Sequence, residues 1–193
     1  MGVIATNAIQ GPAELYVATF GAAEPAETAV GIAGPPAAPW VSAGGTTDGV
    51  TINVSQEYAK LRFDQIPENI GARLTERIFT VETNMAEGTL ENLAIALNVT
   101  GPTTGTGVRT LEPSASDTAA SPLYRSLIID GWAPEKVAGV PLRRRIVVRK
   151  ILSTEGVEFA YQTEDQTVMA VTFEAFFVST SVRPFRIIDA DPA

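Results

Sequence analysis

The sequence predicts a mainly β fold, two packed antiparallel sheets forming a sandwich or partly open barrel, flanked by one principal α-helix. Three observations predict it. Several segments alternate apolar and polar residues at a period of two, and a single window, residues 84–98, carries apolar residues at helical spacing. Stretches rich in Gly, Pro, Ser and Thr separate these segments, as turns and loops do. The 193 residues fit one domain, and 45% apolar content is enough for a core.

Taken in order, residues 1–12 are small and mixed, end at Gly11-Pro12, and read as an N-terminal arm. Residues 13–20 suit a first strand. Residues 21–45 are rich in Ala, Pro and Gly and predict a long loop with Trp40 as its anchor. After a turn signal at Thr46-Thr47-Asp48-Gly49, Val50, Ile52 and Val54 alternate with Thr51, Asn53, Ser55 and Glu57, giving one apolar and one uncharged or acidic face. This strand should run to Gln65, break in a loop over 66–71 around Pro67 and Gly71, and resume over 72–83. A switch of apolar parity between Ile78 and Phe79 predicts a bulge there.

Asn84 and Glu87 have capping-box spacing, which predicts a helix whose stripe is Leu90, Leu93, Ala94 and Leu97. Asn98 and Gly101-Pro102 should end it. Residues 101–122 predict a second long loop, functional or flexible. Strands are expected at 126–132, ending in a turn, and at 143–152, 157–162 and 166–179. Residues 183–193 form a C-terminal segment of the single domain, 1–193.

Composition excludes more than the motifs add. There is no Cys and no His, which removes disulfides, thiol chemistry, imidazole or thiolate metal sites and any triad with a His base. A net charge of −8 opposes wrapping of nucleic acid, which needs a basic footprint. No apolar run approaches the about 20 residues of a membrane helix, so no membrane partner is expected.

The remaining signals are weaker. Gly101 to Gly107 looks like a phosphate loop but follows a helix end and lacks the terminal Lys-Ser/Thr, so it reads as a plain loop. Acidic pairs such as Glu155 with Glu158, or Glu164 with Asp165, fall around expected hairpin turns and read as solvated. Arg143, Arg145 and Arg149 fall on one face of a strand, with Arg144 and Lys150 on the other. They read either as an edge strand guarded by charge or as a contact with acidic residues of a neighbouring subunit.

The order of elements, with Asp48-Gly49-Val50, Asp64-Gln65, residues 86–93, the strand Val168-Met169-Ala170-Val171-Thr172-Phe173-Glu174 and the segment 182–189, resembles the major tail (tail tube) proteins of long-tailed, non-contractile bacteriophages. The resemblance implies a structural virion protein without enzyme activity or cofactor. Such a subunit closes into rings, hexameric in that family, and stacks them into a tube through which DNA leaves the head without specific binding. It implies as partners other copies of the chain, a tape measure protein, and tail terminator or distal tail proteins, with assembly in the host cytoplasm. On that reading Thr51, Asn53, Ser55, Glu57, Thr172 and Glu174 line the lumen. Asp64, Gln65, Pro67, Arg143, Arg145, Arg149, Arg183 and Phe185 make contacts between subunits, and the arm, the 66–71 loop and the C-terminal segment become ordered on neighbours. Three alternatives remain: a capsid decoration or head–tail completion protein, a β-sandwich ligand-binding module using Trp40 and Trp132, and, weakest, a carboxylate enzyme.

Overall fold

A computed structural model describes residues 4–30, 35–113, 122–137, 139–158, 161 and 166–191. Its strands are β1 (Glu14–Thr19), β2 (Val41–Ser42), β3 (Thr46–Phe63), β4 (Ile66–Met85), β5 (Thr103–Gly105), β6 (Val108–Thr110), β7 (Arg125–Val137), β8 (Val140–Ser153), β9 (Met169–Ala175) and β10 (Phe185–Asp189); the helix is α1 (Leu90–Ala96). The fold is mainly β and sandwich-like, with one α-helix, as the alternation predicts. Eight strands form one antiparallel sheet in the order β2-β1-β7-β8-β9-β4-β3, with β10 also paired to β8, while β5 and β6 form a separate hairpin.

The layers come from the curl of this sheet. Phe79 of β4 stacks on Phe185 of β10 with ring centroids 4.4 Å apart, although the two strands do not pair. Alternate residues of five strands meet in the enclosed core, among them Leu15, Leu127, Val148, Phe173 and Val81, and α1 adds Ile95 and Ala96. Burying such side chains gains about 1.5–3 kcal/mol each, and this term holds the curl. On the outer face, Tyr16, Ala18, Ile128 and Val147 are roofed by Trp40, whose Nε1 donates to the Ala23 carbonyl at 2.9 Å. Trp40 thus anchors the first loop.

Several boundaries differ from expectation. The helix starts at Leu90, with Thr89 as N-cap accepting from the Asn92 N–H at 3.2 Å. Asn84 instead lies in β4 and donates to Asp48, and Glu87 accepts from the Gly45 N–H at 2.9 Å. Both candidate capping groups are spent on joining the β3 base to β4. Gly44 suits its position because its φ of 80 is one that other residues rarely adopt, and a Cβ there would also push on the Glu87 carboxyl group, 2.4 Å away. The buried stripe is rotated toward Asn92, Ala94, Ile95 and Ala96, which leaves Leu97 exposed. The amide of Asn92 explains the rotation, donating at 2.9 Å to both the Ala43 and Glu87 carbonyls.

Asn98, at φ 55, ends the helix and binds Ser153 through both ends of its amide. Arg125 donates to the Val99 carbonyl at 2.7 Å beside that end, and burial lowers its pKa. Strand β7 runs through Gly131-Trp132 rather than turning there. The 101–122 loop contains the β5–β6 hairpin, clamped to α1 by an Arg109–Glu91 ion pair. No strand forms at Val157 or Glu158; the rest of that expected strand, except Tyr161, the Glu164–Asp165 pair and residues 114–121 lie outside the described residues.

Candidate assembly surface

Strands β3 and β4 build one hairpin far longer than the body needs. They pair from Thr46↔Met85 out to Phe63↔Ile66, turning at Asp64-Gln65. The expected loop at 66–71 is therefore strand. Beyond residues 80–85, where β9 pairs with β4, residues 66–79 pair with β3 alone among the described strands. Pro67 lacks an N–H and is tolerated in this one-sided ladder. At about 3.3 Å per residue, this part of β4 reaches roughly 45 Å from its last pairing with β9.

The expected bulge between Ile78 and Phe79 is absent, since these residues pair in unbroken register with Ser55 and Val54. The apolar parity there reflects Ile78 lying on the solvent side opposite Phe79. The irregularity falls at Thr75, between Glu57↔Glu76 and Tyr58↔Leu74, where the Thr75 hydroxyl donates to the Glu57 carbonyl at 3.1 Å. This extra residue resets the facing of β4 along the outer hairpin.

The outer hairpin carries exposed Val54, Tyr58, Leu61, Phe63, Ile66, Ile70 and Leu74. Leu61 and Phe63, flanking the turn, keep 60% and 64% of their surface. Charged side chains are interspersed, and Arg62 donates to Asn69 at 2.8 Å. An apolar set this large on a two-stranded projection has no core of its own to enter. Sequence reasoning singled out only Asp64, Gln65 and Pro67 here. The missed signal was on β3, whose apolar residues change parity from Val54 and Tyr58 to Leu61 and Phe63, a pattern that requires cover on two sides.

At its base the hairpin is polar on one face. Cross-strand register puts Thr51, Glu82 and Thr172 in one row and Asn53, Thr80 and Glu174 in the next. Ser55 lies opposite Ile78, and Glu57 opposite Glu76. All six residues expected to line a lumen thus share the sheet face that points away from the core. Thr51, Asn53, Ser55 and Glu57 are exposed, Thr172 and Glu174 are half-buried, and the Thr172 hydroxyl donates to Glu155 at 3.0 Å. Glu76 and Glu82 add negative charge, and no Lys or Arg occupies this face up to the Thr75 bulge.

The arginine row lies elsewhere and has partners inside the subunit, and the edge-strand reading of it is overturned. Strand β8 is interior, with β7 on one side and β9 and β10 on the other. Arg145 is 3% exposed and holds Asp130 through two contacts of 2.6 Å. Arg149 pairs with Glu24 and donates to the Arg183 carbonyl at 2.7 Å, while Arg143 stacks 3.9 Å over the Trp132 ring. Arg183 keeps an exposed side chain, but Phe185 is packed on Phe79. The C-terminal segment is likewise ordered on its own subunit, because β10 pairs with β8 and Asp189 binds Arg144 at 2.6 and 2.8 Å. That guanidinium holds the Asp189 carboxyl below its usual range.

The ligand-module alternative needed exposed tryptophans, yet Trp40 is buried and Trp132 is half-buried with a covered Nε1. In a surface groove lined by Glu27, Asp189 and Asp191 the acidic residues are tied to bases: Glu27 to Arg186, Asp189 to Arg144 and Asp191 to Lys136. Among the described residues no helix is long and apolar enough to cross a membrane, and no cluster of three or more acidic residues could hold a metal ion. Neither the family models nor the curated proteins give a match to this chain.

Proposed function

We propose that this chain is a structural subunit of the tail-tube kind, which closes into rings of six that stack into a conduit for DNA in a virus tail. The observation that carries the reading is the outer β3–β4 hairpin, with seven large apolar side chains left in water by its own subunit. Among the described strands, β3 is also a sheet edge along its whole length, and residues 66–79 of β4 form a second. Exposed apolar surface and unpaired edges are liabilities in a monomer, and joining to another copy removes both.

The polar face beside the hairpin supports the conduit. Glu57, Glu76, Glu82 and Glu174 give this face a negative charge up to the Thr75 bulge, beyond which Arg73 lies opposite Ala59, and such a face repels phosphates, so DNA can slide past without being held. On this reading the partners are other copies of the chain, tape measure and tail-end proteins, and DNA in transit.

The test is to replace residues 58–74 by Asn-Gly and compare sedimentation with that of the intact chain over a range of concentrations. The intact chain should form large assemblies, whereas the shortened chain keeps its fold and sediments as a monomer. Equal assembly of both chains would remove the hairpin from the account. Persistence of the intact chain as a monomer would favour a decoration protein.

A further inference from the structure

Between α1 and the strands β1, β2 and β7 lies a pocket of about 210 Å3 that the tube reading leaves unused. Its walls are mostly apolar, formed by Pro39 and Val41 at β2 and by Ala94 and Ile95 of α1. Val41 keeps 63% of its surface in solvent, so the apolar lining runs out to the mouth. Arg125, which begins β7 opposite Thr19 of β1, brings a guanidinium into this lining.

Arg125 is half-buried without a counter-charge. Its Nη2 donates to the Val99 carbonyl at 2.7 Å and to the Ala94 carbonyl at 3.4 Å. Nε is buried and has no acceptor, while Nη1 has none among the described residues and is not closed off. None of the ion pairs among the described residues includes Arg125, and the acid in the lining, Glu91, is taken by Arg109. Burial alone lowers the Arg125 pKa, with no acid offsetting the desolvation of its charge. Two carbonyls at a helix end explain where this side chain lies, but an arginine drawn out of water is ordinarily paired with an anion.

We infer that this pocket is a binding site for a small monocarboxylic acid, with its carboxylate bonded to Arg125 Nη1 and its apolar body lying between α1 and Val41. A charge-assisted bond from a guanidinium to a carboxylate is about twice as strong as a neutral one, and the ligand brings the negative charge that the pocket lacks. A bare inorganic anion would leave the apolar walls uncovered, and a neutral apolar molecule would leave the guanidinium unpaired. A cavity of about 150 Å3 takes a benzene ring, so about 210 Å3 holds a ring or a short aliphatic chain together with its carboxylate. Small-molecule sites have this make-up, apolar walls with a few placed polar groups. The inference concerns one subunit and does not rest on the tube reading.

Benzoate and hexanoate are the probes, with benzyl alcohol and hexanol as their neutral counterparts and sulfate as the bare anion. Saturation-transfer NMR and calorimetric titration of the full chain should give dissociation constants of about 1 mM or tighter for both acids, and at least about tenfold weaker binding of the alcohols and of sulfate. Val41→Glu sets a carboxylate at the mouth on an exposed position, and should weaken acid binding about tenfold or more with unchanged far-ultraviolet circular dichroism. Val41→Lys should keep it. Arg125→Met should erase the preference for acid over alcohol. No saturation transfer to either acid at about 10 mM would overturn the inference. So would equal binding of acids and alcohols by the unsubstituted chain, or acid binding that Val41→Glu leaves unchanged. Tubes from a chain that binds no acid would sink the site alone, and acid binding by a chain that forms no tubes would sink the tube reading alone.

Discussion

Replacing Leu61 and Phe63 together by Ser isolates the role of the hairpin tip. In the single subunit these side chains are 60% and 64% exposed, so their loss should change its stability by no more than about 0.5 kcal/mol each, as for ordinary surface substitutions. In an assembly they have more than half of their surface still to bury. Full burial of such a side chain is worth about 1.5–3 kcal/mol, so the remainder is about 1–2 kcal/mol each. After the entropy of ordering the tip, about 2–3 kcal/mol for the pair should reach the association free energy. At about 1.4 kcal/mol per decade, the critical concentration for assembly should rise roughly 30- to 150-fold. Pelleting across a concentration series reads this rise, and a urea melt of the dilute chain reads subunit stability. A critical concentration within about twofold of the unsubstituted chain would refute the reasoning, as would a subunit destabilised by more than about 2 kcal/mol.

The remaining expectations concern the body that carries the hairpin. Arg145→Met alone strands Asp130 without its partner and should cost about 3–5 kcal/mol in urea unfolding, whereas Arg145→Met with Asp130→Leu should recover most of that loss. Asp189 is held below its usual carboxyl range first by its hydrogen bonds to Arg144, so its contribution is present above the unfolded value of about 3.9 and is lost as pH falls through the folded one. Hydrogen exchange should therefore show β10 losing protection in acid before β7, and Asp189→Asn should abolish that order. Tyr16 is pushed up to about 12 by burial and by its bond to Glu14, so the stability tied to its neutral form is whole below about pH 10 and drains away toward 12. Ultraviolet titration should show a tyrosine ionising near pH 12, and Tyr16→Phe should remove that step.

Much of the fold is legible in the alternation of residues such as Val50, Ile52 and Val54, because period-two patterning is imposed by burial on one face. The six polar residues Thr51, Asn53, Ser55, Glu57, Thr172 and Glu174 share a face for the same reason, since strand geometry carries that information residue by residue. The hairpin was misread because Pro67 and Gly71 imitate a loop, and an edge ladder tolerates both. The helix start was misread because Asn84 and Glu87 have cap chemistry but spend it on Asp48 and Gly45. The edge-strand reading of β8 fails because charge on a strand does not reveal a partner distant in sequence, such as Glu24 for Arg149.

Negative-stain electron microscopy of the purified, concentrated chain tests the central claim most directly. The account predicts hollow tubes of stacked rings from the intact chain, and none from the chain lacking residues 58–74. Dispersed single subunits from the intact chain at every concentration and salt condition, with no labelling of virus tails by an antibody against it, would contradict the account.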